Sequence, residues 1–129
     1  MANATPGSSQ YIVLTTYRRD GRPVTTPVWA VPLESKLYVV TANSTGKARR
    51  VRATGRVRFA PCTFNGRRIL GEWQEGTGRI VQDEARRREA LAALQRKYGW
   101  QFSLAMLVYR LRASYRERVI LELTPSPAT

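Results

Sequence analysis

The sequence predicts a mainly β protein with helices, built as one six-stranded antiparallel split β-barrel. Three observations predict it. Short runs of β-branched and aromatic residues recur before Asp83, turn dipeptides separate them, and a helical segment is followed by one last apolar run. Short strands need closure to hide their edges, and six can manage that in 129 residues, 43% of them hydrophobic. The expected layout is a disordered arm over residues 1–10, a single domain over 11–125 and a tail over 126–129.

The first strand is Tyr11-Ile12-Val13-Leu14-Thr15-Thr16, ended by a turn at Asp20-Gly21. Pro23 to Val31 returns as the second strand, and Pro27, which cannot donate to a ladder, marks an edge, a bulge or a ligand's place. After a tight turn over Pro32 to Ser35, Lys36 to Thr41 is the third strand. A short basic helix from about Thr45 to Ala53 follows, and Thr54-Gly55 stops it. Arg56 to Cys62 is the fourth strand, with Val57 and Phe59 on one face and Arg58 on the other. Asn65-Gly66 signals a type I′ turn, and Arg68 to Val81 reads as a long fifth strand whose Gly71, Gly76 and Gly78 imply bulges or curling.

Asp83 caps a helix that runs to Tyr98 and stops at Gly99. A second helix from Ser103 to Arg112 places Leu104, Leu107, Val108 and Leu111 on one stripe, expected to face the core. Arg118 to Leu123 closes the barrel, ended by Pro125 and Pro127.

Composition removes whole classes of chemistry. With one cysteine, Cys62, and no histidine, the chain can form no intrachain disulfide, no His-based triad and no ordinary zinc site, and no metal is expected. Cys62 lies in an apolar run and reads as a small core residue. No stretch approaches the roughly 20 apolar residues that span a bilayer, and Met1 to Gln10 lacks the apolar core of a secretory signal, so a cytoplasmic home and no membrane partner are expected.

Charge points to an anionic partner. Lys and Arg number 22 against 9 Asp and Glu, a net +13, and no acidic residue occurs between Ser35 and Gly71. The sharpest feature is Ser44-Thr45-Gly46-Lys47-Ala48-Arg49-Arg50 after the third strand. A helix start presents free N–H groups, and Lys47 and Arg50, three apart, share a face while Arg49 points elsewhere. A point charge beside a planar fork suits a phosphate. The same residues fit a solvated basic helix about equally well, and Gly46, unfavourable inside a helix, points to close backbone approach or an alternative helix start.

Together, Leu14-Thr15-Thr16, Asp20-Gly21-Arg22-Pro23, Thr26-Pro27-Val28-Trp29, Leu37-Tyr38-Val39, Gly46-Lys47 with Arg49-Arg50, and Val57 to Cys62 resemble the split-barrel flavin and deazaflavin oxidoreductases. These are the relatives of pyridoxamine 5′-phosphate oxidase, and the chain is most similar to their actinobacterial branch, which uses coenzyme F420. The resemblance spans Tyr11 to Leu123. It implies an FMN-binding-like fold and a homodimer with two cofactor sites at the seam between protomers. The ring would lie against Thr26, Pro27, Val28 and Trp29, and the phosphate near Thr41, Ala42 and Asn43 with Lys47 and Arg50. One departure is Met1 to Gln10, which lacks the helix that relatives often carry there.

The implied cofactor is coenzyme F420, with FMN as the alternative. F420 carries a phosphodiester and glutamates, so it suits a +13 chain better than FMN with its single phosphate. The implied activity is hydride transfer to a small conjugated or unsaturated substrate, with no side chain required as acid or base. Trp29, Trp73 and Trp100 are candidate walls of a substrate pocket, and each also fits a core. Glu72 and Glu75 read as salt-bridge partners for the many arginines. A nucleic-acid-binding barrel is the reading of another class, disfavoured because the basic residues cluster at a helix start instead of along a sheet face; a non-catalytic cofactor carrier is a further one.

Overall fold

The computed structural model describes residues 6–42, 45–111 and 118–126. Along the chain run β1 (Tyr11–Tyr17), β2 (Pro23–Val28), β3 (Val31–Leu33), β4 (Lys36–Ala42), α1 (Gly46–Thr54), β5 (Arg56–Cys62), β6 (Gln74–Ile80), α2 (Glu84–Tyr98), α3 (Trp100–Leu111) and β7 (Arg118–Pro125). The strands form one antiparallel sheet in the order β2-β1-β5-β6-β7-β4-β3.

Its two edges, β2 and β3, are the same stretch of chain, parted only by Trp29 and Ala30. The sheet therefore curls into a half-barrel split at that point. The expected second strand, Pro23 to Val31, is two strands because it changes partner: Val28 pairs with Ile12 on β1, and Val31 with Tyr38 on β4. Seven strands replace six without changing the architecture. Pro27 sits on an edge strand, where a missing donor costs nothing.

Alternation sorts the faces. Ile12, Leu14, Leu37, Val39, Val57, Phe59, Leu121 and Leu123 point inward and are joined by Val51 of α1. On the outer face α2 covers β3, β4 and β7 through Ala90, Ala93, Leu94 and Tyr98, packed on Val31, Tyr38 and Ile120. Full burial of each large side chain contributes about 1.5–3 kcal/mol. The outer face also holds Glu122, which accepts from Tyr38 Oη (2.8 Å) and Arg79 Nε (2.7 Å) and so ties β4, β6 and β7. Cys62 is buried with Val13 and Ala60 in a small third cluster.

Asp83 caps α2 as expected, whereas Thr45, expected as the first residue of the basic helix, is the N-cap of α1. Gly55 ends α1 in the left-handed region at φ 69°. Turn chemistry differs from expectation. Asn65-Gly66 is not type I′, because only Gly66 has positive φ (73°) and its N–H bonds to Thr63 O (2.9 Å). The two-residue loop with positive φ at both positions is Glu34-Ser35 (49° and 63°), where pairing from Leu33 to Lys36 forces it.

The expected fifth strand shortens to β6, since Ile69 makes only an isolated bridge to Cys62. Within β6 a Cβ on Gly76 would collide with the Thr124 carbonyl, so glycine permits the tight curl against β7. α3 starts earlier than expected, at Trp100, and Arg112 lies outside the described residues, as does Pro127. Its stripe is the clearest correction. Leu104, Leu107 and Val108 are 51%, 49% and 42% exposed, and the helix is anchored by Phe102 instead. α2 already covers that part of the sheet, so the second helix finds no core left to face.

Residues 6–10, expected as part of a loose arm, are tied to the domain. Gly7, Ser9 and Gln10 accept bonds from Lys97 and Tyr98 through their carbonyls. No helix among the described residues is long and apolar enough to cross a membrane.

Candidate cofactor site

Thr45 organises the mouth of the half-barrel. Its hydroxyl accepts from Ala48 N (3.3 Å), donates to Ala42 O (2.9 Å) and lies 3.2 Å from the buried Thr41 hydroxyl, so the end of β4 and the start of α1 are one unit. Thr41, Ala42, Lys47 and Arg50 thus share one corner, as the sequence suggested; Asn43 lies outside the described residues.

Lys47 is half-buried. Burial, then repulsion from Arg50, holds its ammonium below the usual lysine range. Arg50 folds back across the first turn of α1 and donates from Nε to Thr16 Oγ1 (2.6 Å) on β1. An added Cβ on Gly46 would lie 2.5 Å from its Nη1, so the movable end of the guanidinium passes close over the glycine. Burial lowers the Arg50 pKa, and Arg18 and Arg49 add to the effect. Among the described residues no carboxylate ion-pairs with Lys47, Arg18, Arg19, Arg49 or Arg50. Lys47 and Arg50 are partly desolvated beside exposed arginines with no carboxylate paired to them among the described residues, an arrangement that an incoming anion relieves.

Beside this corner lies a cleft of about 470 Å³ lined by Arg18, Arg19, Arg49, Arg50, Arg52 and Ala53. Arg49, expected to point away, joins Arg50 here. Arg18 and Arg19 were missed because they arrive from the turn after β1, a contact that no local spacing reveals.

The β2 edge lies close by, since Thr16, which holds Arg50, pairs with Val24, and Leu14 pairs with Thr26. Val24, Thr26 and Val28 therefore share the inward face with α1. Thr26 Oγ1 is buried with no hydrogen-bond partner, an orphan that a ligand can satisfy. Pro27 faces outward and is exposed.

The three tryptophans have separate surroundings. Trp29 sits at the β2–β3 crossing, half-buried and stacked on Tyr98 (centroids 4.6 Å, 11°). Trp73 lies under the Arg58 guanidinium (4.2 Å), and Trp100 opens α3 with 73% of its surface exposed. None of them lines the arginine cleft. Of the three, Trp29 is nearest in sequence to the orphaned Thr26.

The fold and this basic corner can be set beside known proteins. The family model for pyridoxamine 5′-phosphate oxidase matches residues 2–128. The chain belongs to this family. Among solved structures, a conserved hypothetical protein from Mycobacterium tuberculosis superposes with a TM-score of 0.71 at 21% identity, covering 94% of this chain and 76% of that one. The haem storage protein of Vibrio cholerae gives 0.70 at 12%, covering 95% and 86%. An F420 reductase gives 0.58 at 18%, covering 92% and 87%. At such identities the likeness is one of fold, the split barrel. No curated protein sequence matches the chain.

Proposed function

We propose that this member of the pyridoxamine 5′-phosphate oxidase family is a coenzyme F420-dependent oxidoreductase. It would work as a cytoplasmic homodimer and move a hydride between the deazaflavin and a small conjugated or unsaturated substrate. The observation that carries the reading is the charge at the start of α1 that no carboxylate pairs with among the described residues: Lys47 and Arg50, continued by Arg18, Arg19 and Arg49 in the adjoining cleft. One phosphate needs two or three of these groups. A phosphodiester followed by glutamates uses them all, which favours F420 over FMN, the alternative occupant of the same corner.

When bound, the deazaflavin supplies the hydride chemistry. The chain's own residues bind and orient. Lys47 and Arg50 hold the anionic linkage, Thr26 offers its unpaired hydroxyl toward the ring, and Val28 and Trp29 supply apolar walls. Shielded charge-assisted bonds of this type contribute on the order of 1.5–3 kcal/mol each. Support for a second copy comes from apolar surface left uncovered at Phe64, Trp73, Trp100 and Leu104.

Titrating the purified chain with F420 and with FMN, while following tryptophan fluorescence as salt is raised, tests the proposal. Stoichiometric binding of F420, tighter than FMN and weakened by salt, is expected. Binding of neither coenzyme, or of an oligonucleotide alone, rejects it.

A further inference from the structure

At the split in the barrel, Ala30 belongs to neither ladder: pairing with β1 ends at Val28 and pairing with β4 begins at Val31. Yet Ala30 is 1% exposed, so its backbone groups cannot turn to water. The end of α2 takes the place of the missing strand. Tyr98 Oη accepts from Ala30 N (3.0 Å) and lies 2.9 Å from both Ala30 O and Gln10 O. Lys97 Nζ donates to Ala30 O (2.5 Å), Ser9 O (2.8 Å) and Gly7 O (3.2 Å). An ammonium has three hydrogens, and here three carbonyls meet it.

Three distant segments therefore share one knot: the arm at Gly7 to Gln10, the crossing at Trp29-Ala30, and the end of α2. The Tyr98 ring, held by its hydroxyl, is the surface on which Trp29 stacks. Among the described residues Lys97 has no carboxylate within ion-pair distance, so its charge answers to backbone carbonyls and to the Tyr98 ring, 5.2 Å away.

We infer that Lys97 and Tyr98 are positioning residues that fix Trp29 and the β2 edge from behind, and so determine how well the site recognises the ring of its coenzyme. The inference rests on the functional reading of Trp29 given above. Neither residue lines the arginine cleft, so their effect reaches the ring and not the anion seat.

Lys97→Met, Lys97→Arg and Tyr98→Phe test this through three readouts: hydrogen exchange over residues 7–10, the near-UV circular dichroism of the Trp29–Tyr98 stack, and coenzyme titration. Lys97→Met is expected to speed exchange in the arm at least tenfold, reduce the stack's signal, and weaken F420 at least fivefold while inorganic pyrophosphate binds as before. Lys97→Arg should restore part of each. Tyr98→Phe, which keeps the ring and loses one hydroxyl, should speed exchange at the crossing and decides the matter should Lys97→Met fail to fold. Unchanged exchange and dichroism in both variants overturn the knot. Altered exchange with unchanged F420 affinity overturns its role in recognition. A wild-type chain that binds no coenzyme defeats the functional reading instead, and the exchange and dichroism still decide on the knot.

Discussion

α1 draws Lys47 and Arg50 partly out of water, whereas α3 leaves Trp100, Leu104, Leu107 and Val108 in it. Each helix is otherwise held by a few buried residues, Ala48 and Val51 on α1 and Phe102 on α3. The difference teaches that the chain exposes two unlike surfaces, one of clustered cations with no carboxylate paired to Lys47 or Arg50 among the described residues, the other of apolar side chains.

The comparison is broken most forcefully at α3's anchor. Phe102→Ala should destabilise the fold by about 3–5 kcal/mol, measured by urea unfolding, because a 4% exposed ring leaves a cavity against α2. A loss below 1 kcal/mol would mean that α3 is not fastened to the domain there.

At α1 the effect should fall on binding and not on folding. Lys47→Ala with Arg50→Ala is expected to weaken F420 more than tenfold, while the melting temperature changes little. Removing mutually repelling, desolvated cations offsets the loss of the Thr16 hydrogen bond. An unchanged affinity rejects the anion seat.

Titration gives a milder test of how charge is buried. Burial pulls Lys97 down to about 8 and pushes Tyr38 and Tyr98 up to about 12, each with burial as the first cause. Between about 8 and the ordinary lysine value of 10.5, the unfolded chain binds the Lys97 proton more tightly, so stability rises with pH. From 10.0 to about 12 the folded tyrosines keep protons that the unfolded chain loses, so stability falls. These groups place a stability maximum near pH 10 in denaturant midpoints. Lys97→Met should shrink the rising limb to the share contributed by Lys47, whose folded pKa is also lowered, and leave the fall.

Much of this was legible in the sequence because it is written locally. Gly55 ends α1, Asp83 and Gly99 bound α2, and alternation placed Val57 and Phe59 inward. The corner of Thr41, Lys47 and Arg50 followed from a strand running into a helix. Partner choice is not local, and there the reading stopped. Nothing in Pro23 to Val31 announces that Val28 and Val31 pair with different strands. For the same reason Arg18 and Arg19, three strands before Arg49 in the chain, were not foreseen in its cleft, and Lys97 gave no sign of Ala30. The type I′ turn at Glu34-Ser35 is imposed by register against the preference of its residues.

The α3 stripe shows the same limit from the other side: apolar spacing of Leu104, Leu107 and Val108 specifies a face but not what meets it. Leu104→Gln with Leu107→Gln is therefore the substitution of smallest expected effect. In the lone chain both side chains are half in water already, and glutamine is a comparable helix former, so stability should change by no more than about 0.5 kcal/mol. The measurement is informative because the proposed homodimer predicts a contrasting outcome. A loss that grows with protein concentration, accompanied by a fall from dimer to monomer in sedimentation, would show that a second copy covers this face. A small loss that is the same at every concentration would show that α3 stays open in solution and that the proposed second copy does not dock there.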